Sequence, residues 1–271
     1  MHFPLSRIEK ILLAFCAALL AAAVFGPHVA QPAHYHAFAD QRTLFGMPCA
    51  LDVLSNLPFA LCGLLGFAWL RRVPTGSVSS GQQAMAALFF AGLMVTAAAS
   101  SGYHWQPDNA GLAADRVGML VAFAGLLGLG AGGRISERAG HALAAAVLLL
   151  GAASVALWSF NGNLLPWVLL QGGGMVLVLG FAVCKPRDGA LAVSWATVIA
   201  IYVAAKLLEL GDGQVFAASG EWVSGHTLKH LAASLAAWPV LSALRAAPIS
   251  GQNRSQAATV PLRKFKTKAS S

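Results

Sequence analysis

Charged residues are scarce in this chain of 271 residues, at 10% of the sequence against about 25% in ordinary soluble domains. Hydrophobic residues make up 57% of it, and the mean hydropathy is +0.66. Both values exclude a water-soluble globular domain and a disordered chain. Aromatic residues are also few, at 9% with three Tyr, which excludes a porin-like barrel with its aromatic girdles. The composition predicts an all-α, polytopic membrane protein.

Cysteine pairs and nucleic-acid motifs are lacking as well. The four Cys form no Cys-x-x-Cys pair, so the sequence offers neither a disulfide framework nor a thiolate zinc site. The net charge of +8 does not predict nucleic-acid binding, because many of the cations lie at or beyond the end of the final apolar run. These are Arg245, Arg254, Arg263, Lys264, Lys266 and Lys268. We expect residues 247–271 to form a basic, disordered cytoplasmic tail beside anionic lipid.

Eight apolar stretches are long enough to cross a bilayer, whose core of about 30 Å needs about 20 residues per helix. They cover approximately residues 11–28, 53–70, 84–104, 115–132, 140–158, 166–184, 190–209 and 224–245. Polar or breaker-rich segments separate them, such as residues 71–76 and 185–189. The sequence therefore predicts a seven-helix transmembrane bundle (residues 31–246) preceded by one extra transmembrane helix (residues 1–30).

The positions of Lys and Arg predict the orientation of these spans. With a cytoplasmic N-terminus, 14 of the 18 cations fall in inner segments, and the other four (Arg42, Arg116, Lys206 and Lys229) lie near outer ends. Eight spans with both termini in the cytoplasm are consistent with this count. The basic start of the first span also resembles a signal peptide, but no clear small-x-small cleavage site follows, so we expect an uncleaved helix.

Five polar residues fall near the predicted outer ends of three spans. Ser100 and His104 are four residues apart at the end of the third span and therefore share a helix face. Asp115 follows eleven residues later, at the start of the fourth span. The eighth span begins with His226 and His230, whose spacing suits two ligands of one metal. Three His at one membrane depth predict a zinc site with an open fourth position, in which the metal can activate a water.

This constellation resembles the alkaline ceramidases, which are seven-helix membrane hydrolases related to the adiponectin-receptor-like proteins. The Ser-x-x-x-His motif, the Asp eleven residues later and the final His-x-x-x-His carry the resemblance, which covers about residues 34–245 and suggests a bacterial-type member. It implies that His104, His226 and His230 bind Zn²⁺. It also implies that Asp115 lies beside the attacking water, and that Ser100 contacts that water or the oxyanion.

Two features depart from that family. Eukaryotic members carry an acidic calcium-binding segment before their first helix, whereas this chain has Asp40, Asp52 and Asn56 there, and Ca²⁺ binding near them is left open. Lys229 stands where the family usually has an aromatic residue, and contact with a lipid headgroup or with a carboxylate product is equally open. The Ala-rich and Gly-rich composition is typical of bacteria, many of which make no sphingolipid, so the substrate need not be ceramide itself.

The resemblance implies a zinc-dependent hydrolase that cleaves the amide bond of a ceramide-like lipid into a fatty acid and a sphingoid-like amine. The lipid would enter from the bilayer, and the site would face the periplasm from a bacterial inner membrane. The first alternative is a non-enzymatic receptor or sensor with a structural zinc. Two further alternatives are a haem protein, with His104 and either His226 or His230 as axial ligands, and a transporter, which would need charges deep in the bundle.

Other polar residues have simpler interpretations. Lys206 and Glu209 are three residues apart near the end of the seventh span and predict an ion pair. Asp212 and Glu221 fall in the following loop, either as solvated acids or as groups that orient an imidazole. The His residues at positions 28, 34 and 36 add loop polarity or a peripheral metal contact.

Overall fold

The computed structural model describes residues 4–247, and helices account for 72% of the structure. Within these residues no strand forms beyond isolated bridges, which confirms the all-α prediction. The predicted basic tail falls almost wholly outside the described residues. The helices are α1 (Arg7–Phe25), α2 (Ala50–Leu54), α3 (Leu57–Leu70), α4 (Ser80–Trp105), α5 (Asn109–Arg134), α6 (Glu137–Asn161), α7 (Leu165–Val183), α8 (Trp195–Leu210), α9 (Asp212–Ala218), α10 (Gly225–Ser234) and α11 (Ala237–Arg245).

Six helical segments in the described part of the chain are long and apolar enough to cross a membrane. They are Arg7–Phe25, Ala50–Leu70, Ser80–Trp105, Asn109–Arg134, Glu137–Asn161 and Leu165–Val183. These segments correspond to the first six predicted spans, and they make this a membrane protein. The count of eight spans and the side on which each terminus lies stay predictions.

Neither of the last two predicted spans forms one long helix: the seventh forms a short helix, and the eighth forms two helices. The seventh forms α8, whose 16 residues extend about 24 Å at the rise of an α-helix. The eighth is divided into α10 and α11 by a turn at Leu235 and Ala236. Residues 224–245 thus form two helices joined by a turn, as residues 50–70 do with α2 and α3.

Proline explains the break between α10 and α11. Pro239 has no amide hydrogen for the carbonyl of Leu235, four residues earlier, and its ring crowds that carbonyl. Pro58 stands in the same relation to Leu54, the residue at which α2 ends. Two helices are thus interrupted four residues before a proline.

Polar side chains begin most of the long helices. In α1, α4, α5, α6, α8 and α10 the N-cap side-chain oxygen accepts a hydrogen bond from a backbone N–H two or three residues into the helix. The caps are Ser6, Ser79, Asp108, Ser136, Ser194 and Ser224. Each cap satisfies a backbone donor that a bilayer could not, so short polar residues set where the apolar helices start.

The backbones of α4 and α5 approach each other closely along an antiparallel pair. A Cβ at Gly92 would lie 2.0 Å from the amide nitrogen of Ala122. A Cβ at Gly125 would lie 2.2 Å from the amide nitrogen of Phe89. Neither position has room for a side chain, and small residues of this kind allow close helix packing in membranes.

The first helix is joined to the bundle at the end opposite His104. The carboxylate of Glu9 accepts hydrogen bonds from Ser136 Oγ (2.6 Å) and from Arg138 Nη2 (2.8 Å). Glu9 is buried by these contacts although it lies in the first turn of an otherwise exposed helix. An ion pair therefore fixes the start of α1 against the start of α6.

We predict that Gly92→Ala destabilises the protein, because the new methyl group overlaps the backbone of α5. The expected loss is about 1–3 kcal/mol, measured as a lower midpoint of thermal unfolding in detergent. Gly172→Ala is the matched control: no atom lies within 4 Å of its Cβ position, and alanine favours a helix over glycine. Equal stability of the two variants would contradict the close contact.

Candidate metal centre

Three histidines from two helices converge at one end of the bundle. His104 lies in the last turn of α4, and His226 and His230 lie one turn apart on α10. Their ligand nitrogens all lie within 4.8 Å of one another, and the ring centroids are 4.8–4.9 Å apart. This confirms that the three predicted residues form a group that could hold a metal ion. It is the one such His, Cys, Asp or Glu group found within residues 4–247.

The spacing of these nitrogens can be compared with a tetrahedral site. Two imidazole nitrogens about 2.1 Å from one zinc ion are about 3.4 Å apart at the tetrahedral angle. The Nε2 atoms of His104 and His226 are 3.3 Å apart. The donor set therefore fits a metal such as zinc, with a small inward movement of the widest pair.

Ser55 sets the protonation of His230. The Ser55 hydroxyl donates its hydrogen to the carbonyl of Asp52 (2.9 Å) and lies 2.8 Å from Nδ1 of His230. Since that hydrogen is already used, Nδ1–H of the imidazole is the donor to Ser55. The lone pair of Nε2 is then left for a metal, which is how metal-binding histidines are commonly oriented.

Asp52 and Asp212 hold the start of α10 in place. Asp52 is fully buried, and its Oδ1 accepts hydrogen bonds from the hydroxyls of Thr227 (2.6 Å) and Ser224 (3.4 Å). Asp212 accepts from the backbone N–H of His226 (2.7 Å) and of Ala39 (2.9 Å). Asp212 is thus neither a free loop acid nor an imidazole partner, since it binds the backbone at the first turn of α10.

Ser100 and Asp115 are buried together on the facing helices α4 and α5. The exposed fractions are 2% for Ser100 and 8% for Asp115, and the hydroxyl lies close enough to hydrogen-bond to the carboxylate. Oδ1 of Asp115 has no hydrogen-bond partner among the described residues. A buried carboxylate oxygen without a partner is free to accept a proton or a hydrogen bond from a bound molecule.

Lys229 connects the histidines to a second charged group. Its Nζ lies 3.1 Å from Nε2 of His226 and 3.3 Å from Oε1 of Glu209. Glu209 also pairs with Lys206, which confirms the predicted ion pair. A metal bound to Nε2 of His226 would occupy the lone pair that the ammonium group of Lys229 contacts. Glu209 would then remain as the partner of the Lys229 ammonium group.

An apolar cavity of about 250 Å³ adjoins these groups. Asp115 and His230 line it, together with Lys206, Glu209 and Lys229. The rest of its wall is mostly apolar and comes from α3, α4, α5, α7, α8 and α10, with residues such as Phe89, Leu126, Met175 and Val178. The cavity is therefore polar at one end and suited to a hydrocarbon chain along the rest of its length.

The other predicted polar residues do not join the metal group. Asp40 is paired with Arg42 (2.6 Å), whose guanidinium holds the pKa of this carboxyl below its usual value. His36 bonds to the Tyr103 hydroxyl (2.9 Å) and to Asn109 (3.0 Å). Among residues 4–247, Asp40 and Asp52 form no carboxylate cluster that could hold a cation.

Sequence reasoning did not assign a role to Ser55, Asp52, Thr227 or Lys229 beside the histidines. A buried acid at the start of an apolar span was the available signal for Asp52. Its partners are 172 and 175 residues away in the chain, so the pairing itself needs the fold.

Comparison of the sequence with protein-family models and with curated proteins finds no match. The resemblance to alkaline ceramidases therefore depends on five residues and their spacing.

We predict that the purified protein contains about one metal ion per chain and that His230→Ala loses it. Elemental analysis of both proteins in detergent measures this directly. His141→Ala is the control, because His141 lies at the opposite end of the bundle and bonds to the carbonyl of Glu137. Metal retained in His230→Ala, or absent from carefully prepared wild type, would contradict the site.

We also predict that Ser55→Ala lowers the metal affinity of the site without removing a metal ligand. Loss of such a supporting hydrogen bond typically costs about 10–100-fold in metal affinity. Competition with a chelator gives the metal affinity. Ser77→Ala is the control, because the Ser77 hydroxyl donates to the carbonyl of Pro74, in the loop before α4. Unchanged affinity in Ser55→Ala would show that the serine does not orient His230.

Proposed function

We propose that this protein is a zinc-dependent membrane hydrolase that cleaves the amide bond of a ceramide-like lipid into a fatty acid and an amine. One observation carries the proposal: His230 and Asp115 line the same largely apolar cavity. A metal ligand and a carboxylate with a free oxygen then meet where a lipid amide can be held.

The proposed topology has eight spans with both termini in the cytoplasm. The distribution of Lys and Arg supports it. In this orientation the histidines lie towards the outer face, which in a bacterial inner membrane is the periplasmic side.

The resemblance to alkaline ceramidases supports the same chemistry. His104, His226 and His230 occupy the positions of that family's three zinc ligands, and here they converge. His₃ sites with an open position are typical of catalytic zinc. Bound zinc would polarise the amide carbonyl and lower the pKa of a water at that position.

The chain's own residues would move the protons. Asp115 would take a proton from the attacking water through its free Oδ1 as the new C–O bond forms. The same carboxyl would give that proton to the amide nitrogen as the C–N bond breaks, so that a carboxylic acid and an amine are released. Ser100, beside Asp115, would hold the carboxylate in position or donate to the developing oxyanion.

The apolar walls would hold the acyl chain and exclude water from the amide. Phe89 and Val178 are almost fully buried and line the cavity away from the charged residues. An acyl chain that moved from the bilayer into this cavity would stay among apolar groups, so the walls would orient the chain without adding a hydrophobic gain. A lipid entering from the bilayer would therefore be aligned with its amide near Asp115.

We predict that Asp115→Asn keeps the metal but lowers turnover by about 10²–10⁴-fold, because the amide cannot accept the proton of water. Release of fatty acid from a fluorescent N-acyl lipid measures turnover, and elemental analysis checks the metal. Asp108→Asn is the control, since Asp108 only caps α5. Full activity of Asp115→Asn with its metal bound would favour the receptor with a structural zinc over the hydrolase.

A further inference from the structure

The polar end of the cavity carries two ammonium groups, which the binding of a neutral lipid would not require. Lys206 and Lys229 share one carboxylate, that of Glu209, so one ammonium charge is left over. All three residues line the cavity that Asp115 and His230 also line. Lys229 is only 19% exposed, so most of its hydration has been replaced by protein contacts.

Asp115 is the other acid that lines this cavity. The proposed reaction uses Asp115 to carry a proton, and a metal at the histidines would add two positive charges. With Asp115 engaged in this way, Glu209 is the carboxylate among the cavity-lining residues that is left to balance the ammonium groups of both Lys206 and Lys229.

The two lysines lie at the more exposed end of the cavity. The side chains of Lys206 and Glu209 are 43% and 29% exposed, whereas Phe89 and Val178 at the apolar part are 2% and 1% exposed. An acyl chain in the apolar part would leave the amine portion of the lipid beside the lysines. That portion is the one the charged residues can distinguish.

We infer that the site selects amide-linked acyl lipids whose amine portion carries an anionic group, a carboxylate or a phosphate, bound by Lys229 and Lys206. This inference rests on the proposed function and names its substrate class. Lys229 donates to the anion from the side next to His226, and Lys206 donates from the more exposed side. Glu209 holds both ammonium groups in place between substrates.

The test compares lipids that share one acyl chain. N-palmitoylglycine carries a carboxylate, N-palmitoylethanolamine is neutral, and its O-phosphate ester carries a phosphate. We expect wild type to have at least about tenfold higher kcat/KM for one of the anionic lipids than for the neutral one. Whichever anionic lipid is preferred identifies the group that the lysines bind. Equal values for all three lipids, or preference for the neutral one, would overturn the inference.

The variants assign the preference to the lysines. Lys229→Gln should lower the ratio of kcat/KM for the preferred anionic lipid to kcat/KM for the neutral lipid about tenfold, and Lys229→Arg should restore the preference. If Lys229→Gln folds poorly, Lys206→Gln tests the second residue that donates to the anionic group. Lys185→Gln is the control, because Lys185 lies in the loop after α7. If the ion pair only stabilised the packing of α8 against α10, Lys229→Gln would lower the unfolding temperature and leave the preference for anionic lipids unchanged. That result would overturn the inference.

A binding measurement separates this inference from the hydrolase proposal. Thermal stabilisation of Asp115→Asn by each lipid reports binding without turnover, before and after Lys229→Gln is added. Hydrolysis of all lipids at equal rates would retain the hydrolase and reject the anion site. Selective stabilisation by an anionic lipid that is lost with Lys229→Gln, without hydrolysis by wild type, would retain the anion site and reject the hydrolase.

Discussion

The contact between the backbones of α4 and α5 determines where three of the five site residues lie. Ser100 and His104 are carried by α4, and Asp115 is carried by α5. Gly92 and Gly125 let these helices touch without intervening side chains, so the distance between them is set by backbone atoms, which cannot adapt as a side chain can. Wider separation would move Ser100 away from Asp115 and would open the cavity that both His230 and Asp115 line.

The remaining two histidines are fixed by hydrogen bonds rather than by close packing. Asp52 binds Thr227 and Ser224, Ser55 contacts His230, and Asp212 binds the backbone of His226. In a membrane interior such groups have no water to replace a lost partner, so each bond specifies a single position for α10. The site thus combines a rigid helix pair with a short helix held by polar contacts.

The sequence predicts the helical class, the first six membrane segments and the convergence of the three histidines, because each follows from a local or additive property. Hydropathy identifies spans, the i,i+4 spacing places His226 and His230 on one face, and alternating helix direction brings His104 to the same end. Proline gives a weaker signal, because Pro239 lies inside an apolar stretch while its missing amide hydrogen interrupts the helix at Leu235. The partners of Asp52 and Lys229 depend on residues brought together by the whole fold, so composition and spacing do not reveal them. The catalytic roles of Asp115 and Ser100 and the relation to ceramidases are still predictions.

The two proline interruptions divide the bundle into parts with different mechanical properties. Ser55 lies in the break between α2 and α3, and α10 ends at the break before α11. Below these breaks, α3 and α11 pack into the apolar core through residues such as Phe59 and Val240, whereas α2 and α10 carry the polar contacts of the histidines. The turn at Leu235 and Ala236 therefore separates the helix that carries His226 and His230 from the helix that packs into the apolar core. A change in the position of α10 at this turn would leave the apolar packing of α11 in place.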